Sequence, residues 1–145
     1  ILNCQLIKSD FSHSRVIDCM VSESTMHSTR FTHAYLSNVT FKKCQMYNIK
    51  MNGATIIKCN FQPDKQEGLT GMNNANFSNA LIVDCSFTWY DMTQSNFNGA
   101  TLINCNFDAA ALEQVDFSSA TLINCSFRSS DTDNVTWSEK GLFTM

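Results

Sequence analysis

Apolar side chains recur along this chain at every fifth residue. Ile1, Leu6, Phe11, Val16, Val21, Met26, Phe31, Leu36, Phe41, Met46, Met51, Ile56 and Phe61 form one unbroken series. It resumes one residue out of phase at Met72 and runs through Phe77, Ile82, Phe87, Met92, Phe97, Leu102, Phe107, Leu112, Phe117, Leu122 and Phe127. It slips at Thr132 and returns at Trp137 and Leu142. Of these 28 positions 27 are apolar, in a chain that is 43% hydrophobic, so composition alone does not produce the pattern. A period of five matches neither the helix at 3.6 nor a continuous strand at 2. It fits a short extended segment followed by a corner. Taking the recurring residue as i, residue i−2 shares its face, because strand side chains alternate. Most residues at i−2 are small, as at Cys19, Ser24, Ala54, Cys59, Ala75, Ala80, Ala100, Cys105, Ala120 and Cys125. A large residue at i and a small one at i−2 both point inward, and the other three positions face out or turn the corner.

A longer repeat overlies the short one. The segments 54–61 (ATIIKCNF), 80–87 (ALIVDCSF), 100–107 (ATLINCNF) and 120–127 (ATLINCSF) are copies of one another. The copies at Ala80, Ala100 and Ala120 follow at a constant step of four pentapeptides, and the step from Ala54 to Ala80 is longer by six. Six residues are therefore inserted between Phe61 and Met72. With those removed, the chain aligns into ladders such as Phe41, Phe61, Phe87, Phe107, Phe127. Four inward pairs per repeat describe a four-sided coil, and coils stack about 4.8 Å apart as adjacent strands do. The expectation is one all-β domain over 1–145, a quadrilateral β-helix of six to seven coils with a packed core and no internal ligand cavity. The insertion within 62–71 holds the single Pro and two of the five Gly, which predicts a surface loop. Residues 128–145 lose the strict period and are expected to form a cap or a linker. The chain opens Ile1-Leu2-Asn3 without an initiator Met, so it reads as part of a longer protein.

The segments Ala75-Asn-Phe77, Ala100-Thr-Leu102, Ala110-Ala-Leu112 and Ala120-Thr-Leu122 resemble the pentapeptide-repeat proteins, whose pattern is A(D/N)LXX. The resemblance covers most of the chain and implies a right-handed quadrilateral β-helix. The frequent Cys and Ser at i−2 depart from that pattern. This cysteine-rich form is similar to the β-helical regions of enterobacterial type III secreted effectors, including those with a HECT-like ubiquitin ligase domain.

Composition narrows the chemistry. Ten Lys/Arg against 13 Asp/Glu give a net charge of −3, which excludes a strongly basic nucleic-acid binder. No apolar run approaches the roughly 20 residues of a membrane span, and no signal-peptide pattern opens the chain. All seven cysteines sit at i−2, their number is odd and there is no C-x-x-C, so they read as small core residues of a reducing, cytoplasmic compartment. His13, His27 and His33 fall at outward positions, away from the thiols, and lack further ligands for a metal. No phosphate loop, carboxylate pair or nucleophile elbow is present. The chain is expected to be non-catalytic and to hold no cofactor.

Function is then expected on the surface. Ile17, Ile57, Val83, Ile103 and Ile123 share one column at i+1, broken by Ser37, and are expected to form an aliphatic ridge along one edge. Such a ridge would dock a protein partner or a neighbouring domain; the alternative is that its side chains only stack on one another. Trp89 is expected to face outward beside the inserted loop, and the two suggest a local recognition site, or a Trp packed under a loop. Tyr90 is oversized for i−2. Residues 1–61 carry +4 and residues 62–145 carry −7, with Lys42 and Lys43 outward on the basic half, so the rod is dipolar. The leading expectation is a protein-binding scaffold within a larger bacterial effector, delivered into the host cytosol and meeting host proteins or an adjacent catalytic domain. The alternative is a DNA-mimicking inhibitor of topoisomerase (gyrase). The basic half opposes that alternative, because mimicry requires a continuous negative stripe.

Overall fold

The computed structural model describes residues 5–64, 71–140 and 142–143. The backbone among them forms ten short strands and no helix: β1 (Arg15–Ile17), β2 (Met20–Ser22), β3 (Tyr35–Ser37), β4 (Thr40–Lys42), β5 (Thr55–Ile57), β6 (Asn60–Gln62), β7 (Leu81–Val83), β8 (Thr101–Ile103), β9 (Thr121–Ile123) and β10 (Leu142–Phe143). Every pairing is parallel. β1, β3, β5, β7, β8, β9 and β10 make one seven-stranded sheet, and β2, β4 and β6 a three-stranded one. Partners lie one long repeat apart, as in Arg15↔Tyr35 and Thr101↔Thr121, except across the insertion, where Thr55 pairs with Leu81. The two remaining walls are held by single parallel bridges such as Gln5↔Thr25 and Asp10↔Arg30. The molecule is therefore a four-walled parallel β-solenoid in which each coil spans four pentapeptides, as the two periods predict. We number the walls by the clock residues of one coil, Met26, Phe31, Leu36 and Phe41. The seven-stranded sheet is the third wall, and the three-stranded sheet begins the fourth.

The core follows from the size rule at i and i−2. Phe41, Phe61, Phe87, Phe107 and Phe127 stack with centroids 5.2, 4.8, 4.9 and 5.1 Å apart. Phe77, Phe97, Phe117 and Trp137 form a second stack at 4.8, 5.0 and 5.4 Å. The two stacks meet edge to face, as between Phe97 and Phe107 at 87°. Each buried ring contributes about 1.5–3 kcal/mol, and each favourable ring pair about 0.5–1.5 kcal/mol more. The rungs repeat at strand spacing, so large side chains in register must stack, and flat rings do so without leaving voids.

The corners are of two kinds. Residue i+2 is left-handed at nearly every corner, from Lys8 at φ 57° to Asn134 at φ 55°. After the first and second walls a backbone bond from i+3 to i closes the turn, as in Ser9 N–H to Leu6 O (3.1 Å) and Ala34 N–H to Phe31 O (3.0 Å). With positive φ only at i+2, these are type II turns. Among the described residues no such bond closes the corners after β1, β3, β5, β7, β8 and β9, or those after β2 and β4. These open corners extend the wall through i+1. The fourth wall changes kind along the rod: beyond the insertion its corners close, with Tyr90 N–H bonding Phe87 O at 3.1 Å and Ala110 N–H bonding Phe107 O at 3.0 Å.

Candidate functional site

The open corner explains the cysteines. Without the turn bond, the N–H of residue i+3 has lost its acceptor inside the protein, at a cost of about 1–3 kcal/mol if nothing replaces it. The residue there is Cys after six of the eight open corners, at Cys19, Cys44, Cys59, Cys85, Cys105 and Cys125, with Ser24 and Val39 at the other two, and no described Cys follows a closed turn. The alanines Ala34, Ala54, Ala75, Ala80, Ala100, Ala110 and Ala120 all follow closed turns. The Cys59 N–H donates to Cys85 Sγ on the next coil at 3.4 Å. Each thiol in turn donates to the carbonyl at i+1 of its own corner, at 3.2 Å from Cys85 to Val83 and 3.5 Å from Cys105 to Ile103. Ser24 Oγ does the same to Ser22 O at 2.8 Å. Burial pushes the Cys44 thiol up, and the adjoining thiol, with burial, pushes those of Cys85 and Cys105 well above the usual range. These thiols stay protonated and serve as hydrogen-bonding spacers. Cys19 is exposed rather than packed in the core, because no described coil lies beneath it; Cys4 lies outside the described residues.

No group of three His, Cys, Asp or Glu among the described residues is placed to hold a metal ion. His13 and His33 are outward and stacked 5.4 Å apart. The His33 ring lies against Gly53, where a Cβ would come within 2.4 Å of it. His27 is only half exposed, stacked on Tyr47 at 4.6 Å. No helix is long and apolar enough to cross a membrane.

The aliphatic column lies on the third wall. The sheet register places Ile17 against Ser37, Ser37 against Ile57, Ile57 against Val83, Val83 against Ile103 and Ile103 against Ile123. Since i points inward, i−1 and i+1 both face out, so the column runs along a flat sheet surface rather than along a corner. Ile17 is 40% exposed, and Ile57, Val83, Ile103 and Ile123 are half-buried by their stacked neighbours. A second outward column, Arg15, Tyr35, Thr55, Leu81, Thr101 and Thr121, runs beside it, with Leu81 39% exposed and Arg15 over the Tyr35 ring at 4.8 Å.

Trp89, Lys42 and Lys43 lie elsewhere, on the fourth wall and its corner. Trp89 is 56% exposed with φ 64°, a left-handed conformation that costs a bulky residue about 1–2 kcal/mol. Lys42 is exposed, whereas Lys43 pairs with Asp64 at 3.2 Å and ties down the first residues of the insertion. Residues 65–70, most of the expected loop, lie outside the described residues. A polar groove of about 310 Å³ is lined by Glu23, Ser24, Thr25, Lys43, Gln45 and Asp64. Tyr90 is fully buried. Its ring meets Phe61 edge on at 6.2 Å, and its hydroxyl reaches across the rungs to the Cys44 carbonyl at 3.4 Å. The candidate surface residues thus fall into two separate sites. The signal that divides them was present in the sequence, since the two groups occupy different positions in the frame of the long repeat.

Comparison with known proteins agrees with this geometry. The model for the pentapeptide repeat region matches residues 2–70, and that for pentapeptide repeats (8 copies) matches residues 72–108 and 95–131. A search of curated proteins finds no match. Among solved structures, a pentapeptide-repeat protein of the Arabidopsis thaliana thylakoid lumen is 20% identical, over 77% of this chain and 70% of that one, with a TM-score of 0.46. HetL of Nostoc sp., a pentapeptide-repeat protein involved in regulating heterocyst differentiation, is 13% identical over 93% and 87%, with a TM-score of 0.29. Full-length QnrB1, a plasmid-mediated fluoroquinolone resistance protein, is 14% identical over 97% and 94%, with a TM-score of 0.25. The clock of five, the coil of four pentapeptides and the two family models together place this chain in the pentapeptide-repeat family.

Proposed function

We propose that this chain is a non-catalytic scaffold that docks a protein partner on the outer face of its third wall, as the presenting arm of a larger bacterial protein of the effector type. The observation that carries the reading is the aliphatic column Ile57, Val83, Ile103 and Ile123 on an otherwise solvent-facing sheet. Outward positions of the second wall are instead polar or charged, for example Arg30, Lys50, Asn76, Ser78, Asn98 and Asp116. The open corners after β2 and β4 share the third wall's corner geometry yet carry Ser22 and Lys42 at i+1, so the apolar choice on the third wall is not dictated by the corner. Six described cysteines are free, which suits a reducing cytosol. The arrangement supports binding rather than chemistry: the buried thiols lack a base, and the histidines stand apart from them.

Gyrase inhibition by DNA mimicry is the second reading, and the charge distribution disfavours it. Lys42, Lys50 and Lys58 lie on three different walls of the basic half and break any acidic stripe along the rod. The test is capture of partners from bacterial and host-cell lysates on the intact protein, followed by titration of each purified partner. Ile57→Ser with Ile103→Ser should abolish binding at unchanged melting temperature, because Ser37 already occupies that column. A partner bound equally by the double variant, or inhibition of supercoiling by the rod, overturns the proposal.

A further inference from the structure

The docking strip has dimensions and edges that select among partners. Each rung offers two outward side chains about 6.7 Å apart, and rungs repeat at about 4.8 Å. From β1 to β9 the strip is about 25–30 Å long and, with its corner side chains, about 10 Å wide, on the order of 300 Å². Two folded domains pressed flat together, or two copies of this rod wall to wall, need about 800 Å² from each side. The strip is too small for either by more than half. An α-helix is about 10–12 Å across, and 18 residues of it run about 27 Å. Its apolar stripe repeats about every 5.4 Å, close to the rung spacing.

The two long edges differ in charge. The corner beside the aliphatic column carries Asp18, Asn38, Lys58, Asp84, Asn104 and Asn124, all exposed. The corner beside the threonine column carries no Asp, Glu, Lys or Arg from Ser12 to Ala120, and meets Glu139 and Lys140 only beyond β9, at its far end. Lys58 and Asp84 sit on adjacent rungs, where the Lys58 N–H bonds the Val83 carbonyl at 2.9 Å. Asn104 donates to Asp84 at 2.8 Å and holds the carboxylate at the edge of the strip, beside β7 and β8. Oppositely charged side chains one rung apart complement an oppositely charged pair one helical turn apart, at i and i+3 or i+4.

Resting on the docking reading above, we infer that the third wall receives a single amphipathic helix of its partner, laid along the rod. Its apolar stripe covers Ile57, Val83, Ile103 and Ile123. An acidic residue lies over Lys58, and a basic one a turn away lies over Asp84. Selection from a display library of random 18-residue peptides on the intact protein, with counter-selection on Ile57→Ser/Ile103→Ser, tests this. The expected binders have apolar residues every three to four positions and become helical on binding. They lose roughly five-fold in affinity against Lys58→Asp/Asp84→Lys, as two exposed ion pairs would give. Binders with alternating or Pro-rich extended sequences on the same wall overturn the helix while leaving the docking strip intact. Helical binders indifferent to the charge swap overturn the assigned edge. No enrichment over the counter-selected variant overturns both the helix and the strip.

Discussion

Two side chains show how tightly single residues are tied to this backbone. Gly53, at φ 66°, lies under the His33 ring. Gly53→Ala is expected to cost about 1–2 kcal/mol in urea unfolding, from left-handed strain plus the clash. His33→Ala should restore part of that loss by removing the clash. Cys85 accepts the Cys59 N–H at 3.4 Å and donates to the Val83 carbonyl at 3.2 Å. Cys85→Ala strands a buried N–H and should cost about 1–3 kcal/mol, whereas Cys85→Ser keeps both bonds and should cost less. Equal losses for the two would refute the capping role. Carboxylates set the acid limit. Asp10 is held down to about 2 by the Ser12 hydroxyl and N–H and by Arg30, and Asp108 is lowered by Ser126, Arg128 N–H and the Arg128 guanidinium. A depressed carboxyl stabilises the fold above its unfolded value, near pH 4, and loses that contribution as pH falls toward 2. The melting temperature should hold down to about pH 4 and then drop, less steeply in Asp10→Asn/Asp108→Asn.

At the scale of the corner and the wall, the sequence was legible in one respect and silent in another. Period five and the size alternation at i and i−2 identify walls, coil length and inward faces, because large side chains in register have nowhere else to go. The lengthened step from Ala54 to Ala80 locates the insertion for the same reason. Corner type was not legible. Its marker, Cys in place of Ala at i−2, carries meaning only once the missing turn bond is seen, and Ser occurs after both kinds of corner. The aliphatic column was found, but as a ridge on an edge; the open corner draws i+1 into the strand and sets it on a face. Tyr90 stands out in the sequence only by its size, and its purpose required the Cys44 carbonyl two coils away. Tyr90→Phe should lose no more than about 1 kcal/mol, the net worth of one hydrogen bond. Tyr90→Ala should lose about 3–5 kcal/mol by leaving a cavity of aromatic size, as read by thermal unfolding.

Across the whole molecule, stability is a sum over coils and their contacts, because each coil packs mainly against its neighbours, with the Tyr90 hydroxyl reaching two coils away. Phe107 is fully buried between Phe87 and Phe127. Phe107→Asp places an unpaired charge there, at a cost of several kcal/mol, and should leave no cooperative unfolding transition in circular dichroism. A soluble variant melting like the wild type would refute the register. The same repetition creates a counting problem during folding. The segments 100–107 and 120–127 differ at one position, so a nascent coil finds almost the same neighbour one turn early or one turn late. Nothing in two such segments says which floor of the building they belong to. Tyr90 does, since it fits beneath one gap and reaches one distant carbonyl. It works as an index mark, and the protein can tolerate interchangeable storeys because one of them is numbered.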